Sequence, residues 1–238
     1  MIIQTDRLRS AARNLGIAEA QGEFLLFVDS DMELSPDVIL QCIDKTRSQE
    51  LDAIMIPEVR IGRGFWAACR ALERITYIGD PLIESARFFR KSVLLSLGGF
   101  DEELEAGEDW DLHARIENGK HRIGRVTTPI THFEGKLTLK QLVRKRYRYG
   151  KSILQYIRKN PRQAKVQYLP IRLNYIRNWR VLAKYPLFSL GMLLMRFVEH
   201  IAALFGILIS LGQMDAPFDD KPPVTKYRRP NRSEAGIQ

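Results

Sequence analysis

Cysteine is scarce in this sequence, with only Cys42 and Cys69 among 238 residues. Two thiols cannot form the disulfide framework that stabilises many small secreted domains. Residues 1–10 also lack the apolar core of a secretory signal. These two absences favour a protein that is made and kept on the reducing side of a membrane.

Acidic residues are missing from one long stretch of the chain. Residues 135–198 contain 16 lysines and arginines and no aspartate or glutamate, whereas residues 1–134 contain 16 basic and 23 acidic residues. The net charge of +9 therefore hides a mildly acidic region followed by a strongly basic one. A basic region of this kind attracts phosphate groups, whether they belong to lipids, to nucleic acid or to a phosphorylated ligand.

No internal repeat is found, and a composition of 45% hydrophobic and 27% charged residues indicates one sizeable globular domain with at most a small appendage. Residues 24–28 are a short apolar run, typical of a strand that is buried on both faces. A helix start follows at Ser35 and Pro36, and residues 53–57 form a second apolar run. Strand, helix and strand in this order favour a parallel α/β sheet.

The first apolar run leads directly into acidic residues in the stretch FLLFVDSDMELSPD, residues 24–37. Because residues two apart in a strand share a face, we expect Asp29 and Asp31 to converge at the carboxyl end of the strand, where ligands of open parallel sheets bind. Two close carboxylates repel each other unless a cation lies between them. Oxygen ligands suit Mg²⁺ or Mn²⁺, which can bridge a diphosphate. The alternative is a solvated acidic turn that caps the following helix.

Three kinds of site use an Asp-x-Asp pattern. A calcium loop needs glycine at its sixth position and glutamate at its twelfth, where this chain has Leu34 and Leu40, so we exclude it. A phosphotransferase of the haloacid dehalogenase type also places Asp-x-Asp after an apolar strand, but usually has Thr or Val where this chain has Glu33. The third kind is the metal site of a nucleotide-sugar glycosyltransferase.

Two longer stretches resemble family 2 glycosyltransferases, which have the GT-A fold: RNLGIAEAQGEFLLFVDSDMELSPD and RFFRKSVLLSLGGFDEELEAGEDWDL. The similarity covers roughly residues 13–132. It implies an α/β fold, in which a partial, Rossmann-like GT-A sheet with helices occupies residues 1–134. A basic, mostly helical region at 135–212 follows. The tail at 213–238 is rich in proline and charge, and we expect it to be disordered.

The resemblance also implies roles for four acidic residues. Asp29 and Asp31 would hold Mg²⁺ or Mn²⁺ on the diphosphate of a nucleotide-sugar donor. Asp109 matches the catalytic base of the family, which removes the proton of the acceptor hydroxyl as it attacks the anomeric carbon with inversion. Glu108 would support or orient that base. Without the resemblance, the pair Glu108–Asp109 reads as acidic charge at a helix N-terminus.

Three more residues complete the expected site. His132, at the end of a predicted strand, would join the metal ligands, as a histidine does in some related enzymes. Arg87 and Arg90 flank two phenylalanines and could hold an anionic acceptor, with Arg87 the stronger candidate. The Gln-x-x-Arg-Trp motif of processive synthases is absent, which argues against a polysaccharide synthase. The resemblance therefore implies an inverting glycosyltransferase that acts on a lipid-linked or glycan acceptor.

One departure from the family is large. Its members usually begin with an apolar strand and an Asp-rich turn that bind the nucleobase and ribose, and this chain reaches Asp29 without either. We therefore expect the chain alone to bind a nucleotide weakly. A catalytically inactive, truncated, membrane-associated interaction protein is the alternative to an enzyme.

Residues 187–212 are apolar and long enough to span a bilayer, apart from Arg196, Glu199 and His200. Charges at the bilayer centre cost roughly 2.5–3.5 kcal/mol each on insertion scales, which makes a clean span doubtful. We expect attachment to the cytoplasmic face of a membrane, peripheral or anchored through residues 185–212, with the basic region on anionic lipid. A buried helix pair in a soluble protein is the alternative. No nucleic-acid motif frames the basic run RKRYRYGKS, so no nucleic-acid partner is expected.

Overall fold

A computed structural model describes residues 9–169 and 172–213 of the chain. Strands and short helices alternate up to residue 136, and helices alone follow. The part of the predicted tail from residue 214 onward lies outside the described residues, and Gln213 belongs to the last helix. The elements are α1 (Arg9–Glu19), β1 (Phe24–Leu26), β2 (Met32–Leu34), α2 (Val38–Ser48), β3 (Ala53–Met55), β4 (Glu58–Arg63), α3 (Phe65–Ile75), β5 (Ala86–Arg90), α4 (Lys91–Ser96), α5 (Glu108–Asn118), β6 (Ile123–Arg125), β7 (Ile130–Lys136), α6 (Leu139–Lys159), α7 (Pro161–Gln167), α8 (Leu173–Arg177), α9 (Trp179–Lys184) and α10 (Pro186–Gln213).

The main sheet has four strands in the order β1-β5-β3-β6. Only β3 and β6 pair in parallel, while β5 lies antiparallel between β1 and β3. The prediction of an all-parallel sheet is therefore wrong at β5. A strand–helix–strand pattern sets the common direction of β1 and β3, but it cannot show that a later strand enters between them.

Alternate residues of the main sheet bury against opposite layers. Ala53 and Phe89 pack with Leu112 of α5 on one face. Ile54 and Phe88 pack with Cys42 of α2 on the other. Both faces are thus covered, as the continuous apolar runs predicted.

A second, three-stranded sheet in the order β2-β7-β4 was not predicted. β7 pairs antiparallel with β2, which places Met32 opposite His132, and in parallel with β4, which places Arg60 opposite His132. The sheet brings the end of the Asp-x-Asp stretch beside His132. Strand β7 of this sheet spans Ile130–Lys136, so the domain boundary predicted at residue 134 falls inside a strand.

The helices α6 and α10 pack on each other and α10 also packs on α3. The two long helices meet at glycines: a side chain at Gly150 would collide with the carbonyl oxygen of Ala203, and one at Gly206 with that of Tyr147. Backbone therefore lies against backbone at this crossing.

The polar residues of α10 face the protein. Arg196 and Glu199 are buried, whereas Leu190, Phe197 and Leu204 are 57–68% exposed on the opposite side. Among the described residues, α10 is the one helix that is long and apolar enough to cross a membrane, judged by length and composition alone. Because Arg196 and Glu199 face the protein, they would not lie in lipid if the outer side of α10 contacted a membrane.

Candidate active site

The Asp-x-Asp residues follow β1, and each carboxylate has a cationic or imidazole partner. Asp29 is half-exposed, and its Oδ1 lies 3.5 Å from Nη2 of Arg13 while its Oδ2 lies 3.7 Å from Nη1 of Arg87. Asp31 is also half-exposed, and its Oδ2 lies 3.1 Å from Nε2 of His132. The strand end therefore brings together four of the expected residues, namely the Asp-x-Asp pair, His132 and Arg87.

Arg13 of α1 is the residue that joins the two halves of the site, and the sequence analysis assigned it no role. Its Nη1 lies 2.5 Å from Oδ1 of Asp109 and 3.4 Å from Oε1 of Glu108, while its Nη2 reaches Asp29. The guanidinium also lies 5.0 Å from the ring centre of Phe100, which fixes its plane. Arg13 opens the first of the two stretches that carry the family resemblance, so the signal was present.

The acidic pair begins helix α5 after Gly107, whose positive φ of 84° makes the turn. Glu108 is buried, and Arg9 donates to its Oε1 at 3.0 Å. Burial, together with the charge of Asp109, raises the pKa of Glu108 above its usual value. Asp109 keeps 38% of its side chain exposed. Asp109 can therefore meet a ligand, whereas Glu108 can only act through its neighbours.

The loop that leads to this pair is tied to helix α1. The side chain of Asn14 accepts a hydrogen bond from the backbone N–H of Phe100 at 2.7 Å and donates to its carbonyl at 2.8 Å. Arg115 of α5 donates to the carbonyl oxygens of Leu97 and Gly99 at 2.8 and 2.7 Å. These contacts fix the GGFDE turn relative to both helices.

Glu58, at the start of β4, organises the other side of the site and was also missed. It is buried, accepts from Arg60 at 2.8 Å and lies 3.1 Å from Nη2 of Arg87 and 3.3 Å from Nη2 of Arg74. Burial would raise the pKa of Glu58, but the hydrogen bond with His132 and the surrounding arginines outweigh it and hold that pKa far below its usual value. Glu58 is therefore a permanent anion that anchors Arg87 beside Asp29.

The same carboxylate orients His132. Nδ1 of His132 lies 3.0 Å from Oε1 of Glu58, which leaves Nε2 directed at Asp31. This contact raises the pKa of His132 above its usual value, against the opposing effect of burial. An imidazole held by a carboxylate on one nitrogen is the arrangement that metal-binding histidines commonly show.

Arg90 does not join this group. In the antiparallel pairing of β1 and β5, Arg90 lies opposite Phe24, at the end of the sheet remote from Asp29. Its Nη1 lies 2.7 Å from Oε1 of Glu23, and its guanidinium covers the Phe24 ring. The expectation that Arg90 helps hold an acceptor in this site is therefore wrong, because β5 runs opposite to β1 and carries only its first residues to the site.

A divalent metal would find oxygen and nitrogen donors here, but no ready cage. Among residues 9–169 and 172–213, no three acidic, histidine or cysteine side chains stand close enough to hold a metal ion by themselves. Asp31 and His132 are paired, and Asp29 is turned toward two arginines. Mg²⁺ is usually held by one or two carboxylates plus substrate phosphates, and this donor set fits binding of that kind.

A cavity of about 370 Å³ extends from this site into the space between the α/β core and the helices α6 and α10. Arg87, Glu108 and Asp109 line its end at the active site, and His200 and Ala203 of α10 line its far side. Nine arginines and lysines and seven carboxylates surround it. The site therefore opens onto a charged chamber that the helical region completes.

Comparison with protein families finds a match to the first part of the chain. Residues 2–92 match the sequence model of the family described as glycosyl transferase family 2. The matched segment includes Asp29 and Asp31 and ends before Glu108. The resemblance that the sequence suggested is thereby confirmed over this segment. No curated protein matches the chain.

Comparison with solved structures addresses the fold. A mannosyltransferase from Pyrobaculum calidifontis, in complex with GDP-Man and Mn²⁺, is similar with a TM-score of 0.57 at 16% identity, over 87% of this chain and 69% of that chain. TarS of S. aureus, residues 1–349 in complex with UDP-GlcNAc, has a TM-score of 0.44 at 15% identity, over 94% of this chain and 77% of that chain. At 16% identity the first comparison shows the fold alone, and it confirms the expected GT-A architecture.

Proposed function

We propose that this chain, a glycosyltransferase with a family 2 segment and the GT-A fold, moves a sugar from a nucleotide-sugar donor to a lipid-linked or glycan acceptor with inversion. The observation that carries the proposal is the bridge made by Arg13, which joins the carboxylate of Asp29 to that of Asp109. A donor held at Asp29 and an acceptor held at Asp109 would therefore meet within one site. The complex of the similar mannosyltransferase with GDP-Man and Mn²⁺ supports a nucleotide-sugar donor.

The donor end of the proposed site consists of Asp29, Asp31 and His132. These residues would hold Mg²⁺ or Mn²⁺ together with the donor diphosphate, and the metal would supply positive charge to the leaving group. Arg87 lies beside Asp29 and is fixed by Glu58, so it would offer a second cation to the same phosphates or to an anionic acceptor.

The acceptor end consists of Asp109 and the residues that position it. The acceptor hydroxyl loses its proton to Asp109 while its oxygen forms a bond to the anomeric carbon. The bond from that carbon to the diphosphate oxygen breaks, and the nucleoside diphosphate leaves with the electron pair. Attack from the side opposite to the leaving group inverts the configuration. Glu108 and Arg9 act as positioning residues because burial keeps Glu108 away from the acceptor.

We place the enzyme at the cytoplasmic face of a membrane, peripherally and through α10. The outer face of α10 presents Leu190, Phe197 and Leu204, while its charges face inward. The preceding short helices add Ile176 and Trp179, which are 60–64% exposed. The same helices carry Arg177, Arg180 and Lys184, a combination that suits a helix lying in the interface of an anionic bilayer.

The test is a transfer assay on the full chain in detergent, with nucleotide sugars, Mn²⁺ and a membrane lipid extract as the acceptor source. We expect Asp31→Asn to abolish metal-dependent transfer and Arg13→Gln to lower kcat/KM by roughly tenfold to a hundredfold, since each removes charge-assisted contacts in the site. Arg90→Gln is the matched control, because that arginine is also paired with a glutamate and stacked on a phenylalanine, but outside the site. Equal losses in Arg13→Gln and Arg90→Gln would contradict the proposed site.

A further inference from the structure

Within the described residues, all carboxylates that line the cavity form ion pairs except that of Glu105, which is exposed. Glu73 and Glu199 lie at its buried end and share Arg70 and Arg196. At the other end, Glu58 and Glu108 are held by the arginines described above. Two cations that line the cavity, Arg172 and Lys145, form no salt bridge within the described residues.

Arg172 is a buried cation of the cavity that forms no salt bridge within the described residues. It is 8% exposed, and no carboxylate within the described parts of the chain lies within salt-bridge distance of it. Its Nη2 donates to the carbonyl oxygen of Gln167 at 2.6 Å, and its guanidinium lies 4.6 Å from the centre of the Tyr77 ring. Its Nε is buried and has no hydrogen-bond partner among residues 9–169 and 172–213. A buried guanidinium with an unused donor is costly unless an anion accepts from it.

Lys145 of α6 is a second cation of the cavity without a salt bridge in the described residues, and it is exposed. It lines the same cavity and also an adjoining groove of about 500 Å³, which includes Lys136, Arg144 and Arg148. No salt bridge of Lys145 is found within the described residues, and its one recorded contact is with the ring of Tyr149. Lys145 therefore stands where a cationic groove on the surface enters the chamber next to Asp109.

We propose that this chamber is a second anion-binding site, in which Arg172 and Lys145 bind a phosphate group of the acceptor. The inference rests on the proposed function, and it narrows the acceptor to a lipid-linked phosphate compound. The phosphate serves to hold the acceptor and neither forms nor breaks a bond. The hydroxyl that reacts lies at the other end of the same cavity, beside Asp109.

The position of α10 is the reason for assigning the phosphate to a lipid. His200 and Ala203 line the chamber from one side of this helix, and Phe197 and Leu204 are exposed on its other side. One helix diameter, about 10 Å, therefore separates the chamber from the apolar surface. A head group bound in the chamber would therefore leave its chain within about a helix diameter of that apolar surface.

The experiment measures binding to the full chain by calorimetry, with octyl phosphate, octanol and inorganic phosphate as probes. Divalent cations are removed with a chelator, so that phosphate cannot bind through a metal at Asp31. We expect octyl phosphate to bind at least about tenfold more tightly than inorganic phosphate, since burial of its chain adds to the affinity, and octanol not to bind. Lys145→Ala and Arg172→Gln should each lower the affinity for octyl phosphate by roughly tenfold to a hundredfold.

Lys140→Ala is the matched control, because Lys140 lies on the same helix and is exposed outside the chamber. Lys145 is exposed as well, so its variant tests the site even if Arg172→Gln fails to fold. Equal affinity for octyl phosphate and inorganic phosphate would overturn the assignment to a lipid. Binding that is unchanged in both chamber variants, or absent from the wild type, would overturn the site itself.

A parallel titration with GDP and UDP in the presence of Mn²⁺ separates this inference from the proposed function. Nucleotide binding without binding of octyl phosphate would overturn the second site and leave the transferase proposal standing. Octyl phosphate binding that depends on Lys145, with no nucleotide binding, would support the anion site while contradicting the donor site.

Discussion

The α/β core and the helical region use charge in opposite ways. In the core, Asp29, Asp31 and Asp109 stay 38–53% exposed at one end of the sheets, where a ligand can replace their present partners. In the helical region, Glu199 and Arg196 are buried and the apolar side chains face outward. Charge in the core is therefore available for chemistry, whereas charge in α10 fastens this helix to the core. The comparison shows that a charged residue in an apolar helix need not be an obstacle to membrane contact.

The largest effect is expected from removal of the Glu199 carboxylate, which holds α10 to the core. Glu199 contacts Arg70, Arg146 and Arg196. Glu199→Ala would remove the anion that joins all three guanidinium groups, and only Arg70 and Arg196 would keep a carboxylate, that of Glu73. Loss of one partner from a buried ion pair costs about 3–5 kcal/mol, so we expect a loss of this size in the free energy of unfolding. Urea unfolding in detergent measures it. Glu33→Ala, at an exposed position in β2, should change the free energy by less than about 0.5 kcal/mol.

The next test concerns charge that serves chemistry. Asp109→Asn keeps the shape of the side chain but removes the base, so we expect kcat to fall by about 10²–10⁴-fold if a hydroxyl is the acceptor. Stability should change little, since Asp109 is partly exposed. Steady-state transfer rates together with a thermal melt separate the two effects. An unchanged kcat would mean that the nucleophile needs no base, as an ionised phosphate would not.

The apolar surface of α10 can be tested at a single residue. Phe197 is 63% exposed, and Phe197→Gln should weaken binding to anionic vesicles by about 1.5–3 kcal/mol, the value of one buried large side chain. Co-sedimentation with vesicles of phosphatidylserine and phosphatidylcholine measures the change. Val198→Gln, one position further along and half-buried, is the control for the polar substitution. A protein that remains in the supernatant without detergent would rule out the membrane assignment.

The smallest expected effect is on the pH dependence of stability. Burial would raise the pKa of Glu73, but Arg70, Arg196 and the hydroxyl of Tyr77 outweigh it and lower that pKa below the value in the unfolded chain. A lowered pKa means that its contribution to stability is present above about pH 4.5 and is lost as the pH falls toward the folded value. We expect Glu73→Gln to flatten the fall in urea midpoint below pH 4.5. An identical acid slope in both proteins would show that Glu73 gains nothing from its ionisation.

The parts of the site that follow the chain locally were predictable. Asp29 and Asp31 follow an apolar strand, and Glu108–Asp109 follow a glycine turn, so short stretches carried both signals. Glu58 was missed because its importance arises from arginines on other elements, which the sequence places 16 and 29 residues away. Arg90 was misplaced for a related reason, since the direction of β5 depends on pairing with β1 and not on its own residues.

Contacts with distant residues also explain why the sequence alone could not show how α10 packs. Its composition fits a membrane span and a buried helix equally, and its three polar residues could have paired among themselves. In the structure Arg196 contacts Glu199 and His200, and in addition it pairs with Glu73 of α3. Glu199 also pairs with Arg70 of α3 and Arg146 of α6. The partners on α3 and α6 lie 53 to 129 positions away along the chain, and no local pattern contains them.

The glycine crossing of α6 and α10 has a consequence for how the enzyme is made. Gly206 lies after every residue of the proposed site, and its close approach to Tyr147 is part of what closes the chamber beside Asp109. A ribosome must therefore translate nearly all of the described chain before the chamber exists. Until that moment the carboxylates of the core have no enclosed place for an acceptor beside them. The protein would thus become able to enclose an acceptor only after α10 has been translated and has packed on α6.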